Sequence, residues 1–151
     1  MTIRLSTGAR NAMMGDGTNK GLAAALAAGF INIYTGTQPA TADTGATGTL
    51  LGTVTKNNDG STGITVGPAA AGVLSQASGN TPWQFGGLAA GVAGWYRYWP
   101  AGGNPAANSS TEARVDGLIG TAGADLNFTN TTIAVSAVTT IDSYTLTLPT
   151  S

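Results

Sequence analysis

The sequence predicts an all-β fold: a single β-sandwich, jelly-roll-like or barrel domain with a short N-terminal helical segment. Three observations carry this. Short stretches of alternating apolar and polar residues follow one another from residue 30 onward, with turn residues about every 8–12 positions. No helical periodicity appears after residue 29, where an α/β fold would need helices between its strands. The length, 151 residues, makes one domain. Residues 1–29 read as an arm with short helices, and residues 30–151 as the β domain. The 23 glycines raise the question of disorder, but 42% of residues are hydrophobic, and three Trp, four Tyr and three Phe supply anchors.

The elements follow in order. Ser6 or Thr7 can cap a helix running through Asn11–Met14, which Gly15-Asp16-Gly17 ends. Asn19 can cap a second helix over Lys20–Ala28, with Gly29 as its left-handed terminator. Leu22, Leu26 and Phe30 would form one narrow apolar stripe. Phe30–Thr35 (FINIYT) alternates like a strand, and Gly36–Gly48 carries the turn residues of a long loop. Thr49–Lys56 is the next strand. Asn57-Asn58-Asp59-Gly60 predicts a tight hairpin, with Thr62–Val66 pairing back. Gly72–Ala77 is another strand. In Val92–Pro100 (VAGWYRYWP), Trp95, Arg97 and Trp99 share one face while Tyr96 and Tyr98 share the other, so both faces are covered or partly covered. A Pro/Gly/Asn/Ser loop spans Ala101–Ser110. Thr111–Gly120, Asp125–Phe128, Thr132–Ser136 and Thr140–Leu148 complete the strands, the last with Tyr144, Leu146 and Leu148 on one side.

Composition excludes several chemistries. With no Cys there is no disulfide scaffold, thiolate metal site or cysteine nucleophile, and with no His there is no Ser-His-Asp triad. Only 9% of residues are charged, against roughly 25% in a typical soluble domain. Arg4, Arg10, Lys20, Lys56, Arg97 and Arg114 are scattered, so no stripe exists to neutralise a run of phosphates and nucleic acid is not an expected partner. A net charge of −1 leaves little repulsion against association, which favours work in an assembly. Leu22–Tyr34 is too short and too interrupted, by Gly29 and Asn32, to span a bilayer. The polar stretch before it argues against a signal peptide.

No active site emerges. Gly15–Gly21 (GDGTNKG) lacks the Lys-Ser/Thr ending of a phosphate loop, and neither Asp16–Asn19 nor Asn57–Asp59 has calcium-loop spacing. Glu112 and Asp116 could share a strand face, but their Cα atoms would then lie about 13 Å apart at ~3.3 Å per residue, too far for a strand-borne hydrolytic pair. Arg97, Arg114 and the aspartates read better as ion pairs or caps. No catalytic, metal-binding or cofactor-binding residue is therefore expected, and no small-molecule substrate. The aromatic group Trp83, Phe85, Trp95, Tyr96, Tyr98 and Trp99 is either a binding platform or the filling of the core. Arg4, Arg10, Trp83, Tyr96, Tyr98 and Trp99 are the candidate partner-interface residues, with Met1–Thr7 as an extended arm or a frayed terminus.

Four stretches together resemble a family of small virion structural proteins of tailed bacteriophages. They are IRLSTGARNAMMG, INIYTGTQPATADTGATGTLLGTVT, AAAGVLSQASG followed by AGVAGWYRYW, and GLIGTAGADLNFTNTTIAVSAVTTIDSYTLTLP. The resemblance runs from about Ile3 to Pro149 and carries no catalytic signature. It implies a particle component made in the bacterial cytoplasm, either a capsid decoration (cement) protein or a tail, neck or receptor-binding component. The implied partners are the major capsid protein and copies of the chain itself, gripped by area burial and by backbone edges adding strands.

Overall fold

The computed structural model describes residues 3–18 and 21–148. The chain enters as strand β1 (Arg4–Leu5), and Ser6 then caps helix α1 (Thr7–Met14) by accepting from the Ala9 amide. Gly15 ends α1 in the left-handed conformation, as expected. The second helix, α2 (Leu22–Ala25), is a single turn, and the expected Asn19 cap lies outside the described residues. Its terminator also differs: Ala28, at φ 53°, takes the left-handed conformation in place of Gly29. Gly29 serves a different need. It bridges to Ile64, and a Cβ there would strike the Trp99 carbonyl and approach the Tyr98 ring to 3.0 Å.

The strands that follow are β2 (Phe30–Thr35), β3 (Leu50–Lys56), β4 (Val73–Ser75), β5 (Trp83–Gly86), β6 (Gly91–Trp99), β7 (Val115–Gly120), β8 (Leu126–Asn127), β9 (Thr132–Ile133), β10 (Val138–Ile141) and β11 (Thr145–Thr147). Nine of the strands form one sheet with the order β1-β7-β6-β2-β3-β5-β10, β8 lying beside β7 and β9 beside β6, while β4 and β11 make a second, two-stranded sheet. The β class and the short N-terminal helices are as the sequence predicts. The large sheet ends in β1 and β10 and is not closed, so the barrel alternative falls away.

Three expectations are corrected. The turn after β3 forms, with Asn57, Asn58 and Gly60 at positive φ and the Asp59 carboxylate accepting from the Ser61 and Thr62 amides. It does not make a hairpin. After one bond from the Lys56 amide to the Thr62 carbonyl, the chain leaves, and Ile64 and Val66 bridge to Gly29 and Gln76 instead. The place beside β3 goes to β5, which the sequence pattern had not marked as a strand. β5 brings Trp83 and Phe85 into the core, and Ile64 and Val66 are buried in the same core without pairing to β3. Finally, the segment expected as one strand over Thr140–Leu148 divides between β10 and β11, which belong to different sheets.

The core lies on one face of the large sheet. Ile31, Ile33, Val54, Tyr96, Tyr98 and Val115 point into it from the sheet, and Leu26, Ile64, Leu74, Tyr144, Leu146 and the α1 alanines Ala9 and Ala12 meet them. An aromatic cluster holds its centre: Tyr144 contacts the rings of Trp83, Tyr96 and Tyr98 at centroid distances of 5.7, 5.8 and 6.0 Å. Gly117 lies opposite Tyr96, and a Cβ there would come within 2.6 Å of that ring, so β7 needs glycine at this position.

Candidate functional site

Strand alternation places the polar residues of β2 and β6 on the face away from the core. Across five strands, Thr53, Asn32, Arg97, Asp116 and Arg4 stand opposite one another in a single row. Arg97 grips Asp116 through two bonds, Nε to Oδ1 at 2.8 Å and Nη2 to Oδ2 at 2.7 Å, and both side chains are completely buried. Its Nη1 donates to the Pro105 carbonyl. Asn32 accepts from the Thr53 hydroxyl and donates to the Tyr34 hydroxyl. Tyr34 stacks on Trp95 at 4.6 Å, and the Arg97 guanidinium sits 5.5 Å from the Trp95 ring centre. Burial pushes the Asp116 carboxyl above the usual carboxylate range, and the bonds and charge of Arg97 pull it back.

Two loops roof this face. Arg114, also fully buried, bonds the Glu112 carboxylate and the carbonyls of Asn104 and Ala107, which fixes the 101–114 loop. The 36–48 loop is tied to it through the Ala46 amide on Pro105, the Gly45 amide on Asn108 Oδ1 and the Ser109 amide on Asp43. Asp43 in turn accepts from the amide and hydroxyl of Thr7 at the start of α1, where the helix dipole favours an acid. Glu112 and Asp116, the carboxylates weighed as a hydrolytic pair, are thus each held by a separate arginine. The expectation that Arg97 and Arg114 form ion pairs holds.

The six candidate interface residues do not come together. Trp83, Tyr96 and Tyr98 are fully buried and offer no surface, which removes them from the interface set. Their polar atoms are used internally: the Trp83 indole donates to Asn80 Oδ1, the Tyr98 hydroxyl to the Ile64 carbonyl, and the Tyr96 hydroxyl to that of Tyr144. Of the aromatic group, Trp83, Phe85, Tyr96 and Tyr98 fill the core, Trp95 is buried on the opposite face of the sheet, and Trp99 is half-buried. Burial holds all four tyrosines, Tyr34, Tyr96, Tyr98 and Tyr144, above the ordinary phenol pKa. Trp99 is half-buried against Phe30, its indole N–H enclosed without an acceptor among the described residues. Arg4 lies in β1, on no free arm, and its guanidinium bonds the carbonyls of Gln38 and Pro39. Met1 and Thr2 lie outside the described residues. Arg10 stays exposed and donates to the Thr7 hydroxyl.

The surface offers a group of residues that sequence reasoning missed. Leu88, Val92, Val135 and Val138 are 57–64% exposed. They sit on two segments that bond each other, through the Gly87 amide on Ala137 and the Ser136 amide on Gly87. The available signal was the absence of charge throughout residues 83–96 and 126–141. Beside β10 lies a trough of about 610 Å³ lined by Asn127, Thr129, Asn130, Thr132, Thr140 and Asp142 among others. An apolar groove of about 500 Å³ runs between α2 and the small sheet, with Met13, Leu22, Leu74 and Leu148 on its walls. Among the described residues, no three His, Cys, Asp or Glu side chains cluster as metal ligands, and no helix is long and apolar enough to cross a membrane. No protein-family model, no curated protein and no solved structure significantly matches this chain.

Proposed function

We propose that this chain is a structural component of a tailed-bacteriophage virion, and that it serves as a capsid decoration protein bridging capsid subunits. The observation that carries the reading is the uncharged surface around Leu88, Val92, Val135 and Val138. Large apolar side chains exposed on segments that bond each other suit protein contact. The buried arginines and roofing loops make the domain a rigid block, so little order is lost when it packs against a partner. The segmental resemblance to small virion proteins points the same way.

Quantitative gel analysis of purified virions tests the proposal. A copy number tied to the capsid lattice is the expected result, together with poorer survival of the shell under heat or low salt when the protein is deleted. A few copies per particle would reassign the chain to the tail, neck or receptor-binding apparatus. Absence from virions would end the virion reading altogether.

A further inference from the structure

A glycine directly follows an aspartate at three steps of the chain, Asp16-Gly17, Asp59-Gly60 and Asp116-Gly117. At such a step the glycine amide nitrogen can attack the aspartate side-chain carboxyl carbon, because no Cβ crowds the approach. A nitrogen–carbon bond forms, a carbon–oxygen bond breaks and one water leaves, giving a five-membered succinimide. Water then reopens the ring at either carbonyl. Opening at the α-carbonyl leaves isoaspartate, with the main chain running through the former side chain. The fold treats the three attacking nitrogens differently. The Ser6 amide donates to the Arg114 carbonyl, so alternation along the β1–β7 ladder turns the Gly117 amide toward Tyr96 of β6. Asp116 itself is fully buried in the grip of Arg97. Gly60 is exposed, but its amide donates to Thr55 Oγ1 at 3.2 Å, while the Asp59 carboxylate accepts from the Ser61 and Thr62 amides.

We propose that Asp16-Gly17 is the chain's site of isoaspartate formation, and that the fold protects the other two steps. Residues 13–18 are exposed in an unbroken run at the end of α1. The Gly17 amide makes no hydrogen bond among the described residues, and a Cβ on Gly17 would meet nothing within 4 Å. Asp16 Oδ1 accepts from the Thr18 amide at 2.9 Å, a bond that spans Gly17 and keeps the side chain folded along the backbone ahead of it. The attacking nitrogen is thus unengaged and next to the carbon it must reach. The rearranged link is one methylene longer and leaves a free α-carboxylate, so the charge is kept. The Gly15 and Gly21 amides both donate to the Ala12 carbonyl, which closes this loop at its base without using Asp16 or Gly17. The added length falls between Met13 and Gly21, two residues that wall the apolar groove. None of this rests on the virion reading.

Trypsin places the three steps on separate peptides, 11–20, 57–97 and 115–151. The folded protein is held for weeks in mildly acidic buffer at body temperature, then unfolded and digested. Isoaspartate is located by fragmentation at unchanged peptide mass, which sets it apart from asparagine deamidation. Position 16 is expected to carry at least tenfold more isoaspartate than position 59 or 116. In strong denaturant the gap should close to within threefold, because the three steps share one local chemistry. Thr55→Val frees the Gly60 amide and should raise the product at position 59 severalfold, with circular dichroism unchanged. Asp16→Glu would require a six-membered ring and should abolish the product at position 16. As much isoaspartate at 59 or 116 as at 16 in the folded chain, a gap that persists in denaturant, no product at 16, or a position 59 indifferent to Thr55→Val would each overturn the proposal.

Discussion

Strand β6 feeds two interiors of opposite character. Toward the core, Tyr96 and Tyr98 meet Trp83 and Tyr144 in a cluster held by area and ring contact. Toward the other face, Arg97 enters a lattice of fixed hydrogen bonds beside Trp95, whose buried indole N–H has no acceptor among the described residues. The first kind of contact is non-directional and tolerates small shifts. The second is directional, and removing one member strands the rest. One sheet thus uses apolar burial to hold its strands against the helices and small sheet, and hydrogen-bonded arginines to hold long loops that have little apolar content of their own.

Alkali should open the core face with the largest effect. The phenols of Tyr96, Tyr98 and Tyr144 are held neutral by burial. Their pKa values are raised in the folded state, so their contribution is fully present below the ordinary phenol pKa near 10. It is lost as pH rises above that value, at about 1.4 kcal/mol per pH unit for each. Phenolate absorbance should therefore appear together with loss of circular dichroism, in one step. Phenolate formed well before unfolding would show that this core is open to water.

The polar face should break next, through Arg97→Met. The substitution leaves Asp116 buried without its partner and should cost about 3–5 kcal/mol in denaturant unfolding. Adding Asp116→Leu should return most of that loss. A single substitution costing under about 1 kcal/mol would mean that the roofing loops carry the face without the pair.

Gly117→Ala sharpens the comparison from the core side. The new methyl meets the Tyr96 ring, and about 1–3 kcal/mol of overpacking is expected, read as a lower thermal midpoint. The smallest effect falls where the two interiors join. Ser6 Oγ accepts from the Ala9 and Arg114 amides and donates to the Glu112 carbonyl. Ser6→Ala should cost about 1–2 kcal/mol, a cap plus one orphaned buried amide. A neutral outcome would detach α1 from the 101–114 loop as an energetic unit.

Much of the two-faced sheet was legible in the residues. FINIYT and GVAGWYRYW alternate, and the face assignments of Trp95, Arg97 and Trp99 against Tyr96 and Tyr98 follow directly from that period. The stop at Gly15 and a cap at Ser6, one of the two positions the sequence offered, are local signals too, carried by a short polar side chain and a glycine. The pairing of β5 with β3 was not legible. WQFG is four residues long, and the competing segment TGITV sat next to a strong turn. Both segments end up buried, TGITV through Ile64 and Val66 and WQFG through Trp83 and Phe85, so apolar content does not mark which one joins β3. The candidate interface failed in a related way. Trp and Tyr serve cores and interfaces alike, so residue type could not separate Trp83, Tyr96 and Tyr98 in the core from Leu88 and Val135 on the surface.

By itself the sequence determined the β class, the helical start, the two-sided strand at 91–99 and the lack of charge across the exposed aliphatic segments. These depend on neighbours within a few residues or on composition. Tertiary structure decided which strands pair, which arginines vanish from the surface and which edge of the sheet stays free. Those outcomes depend on contacts such as Arg97 with Pro105, Asp43 with Thr7 and Gly87 with Ala137. Each forms only after distant segments compete for the same strand, carbonyl or amide, and no local pattern encodes the result of that competition.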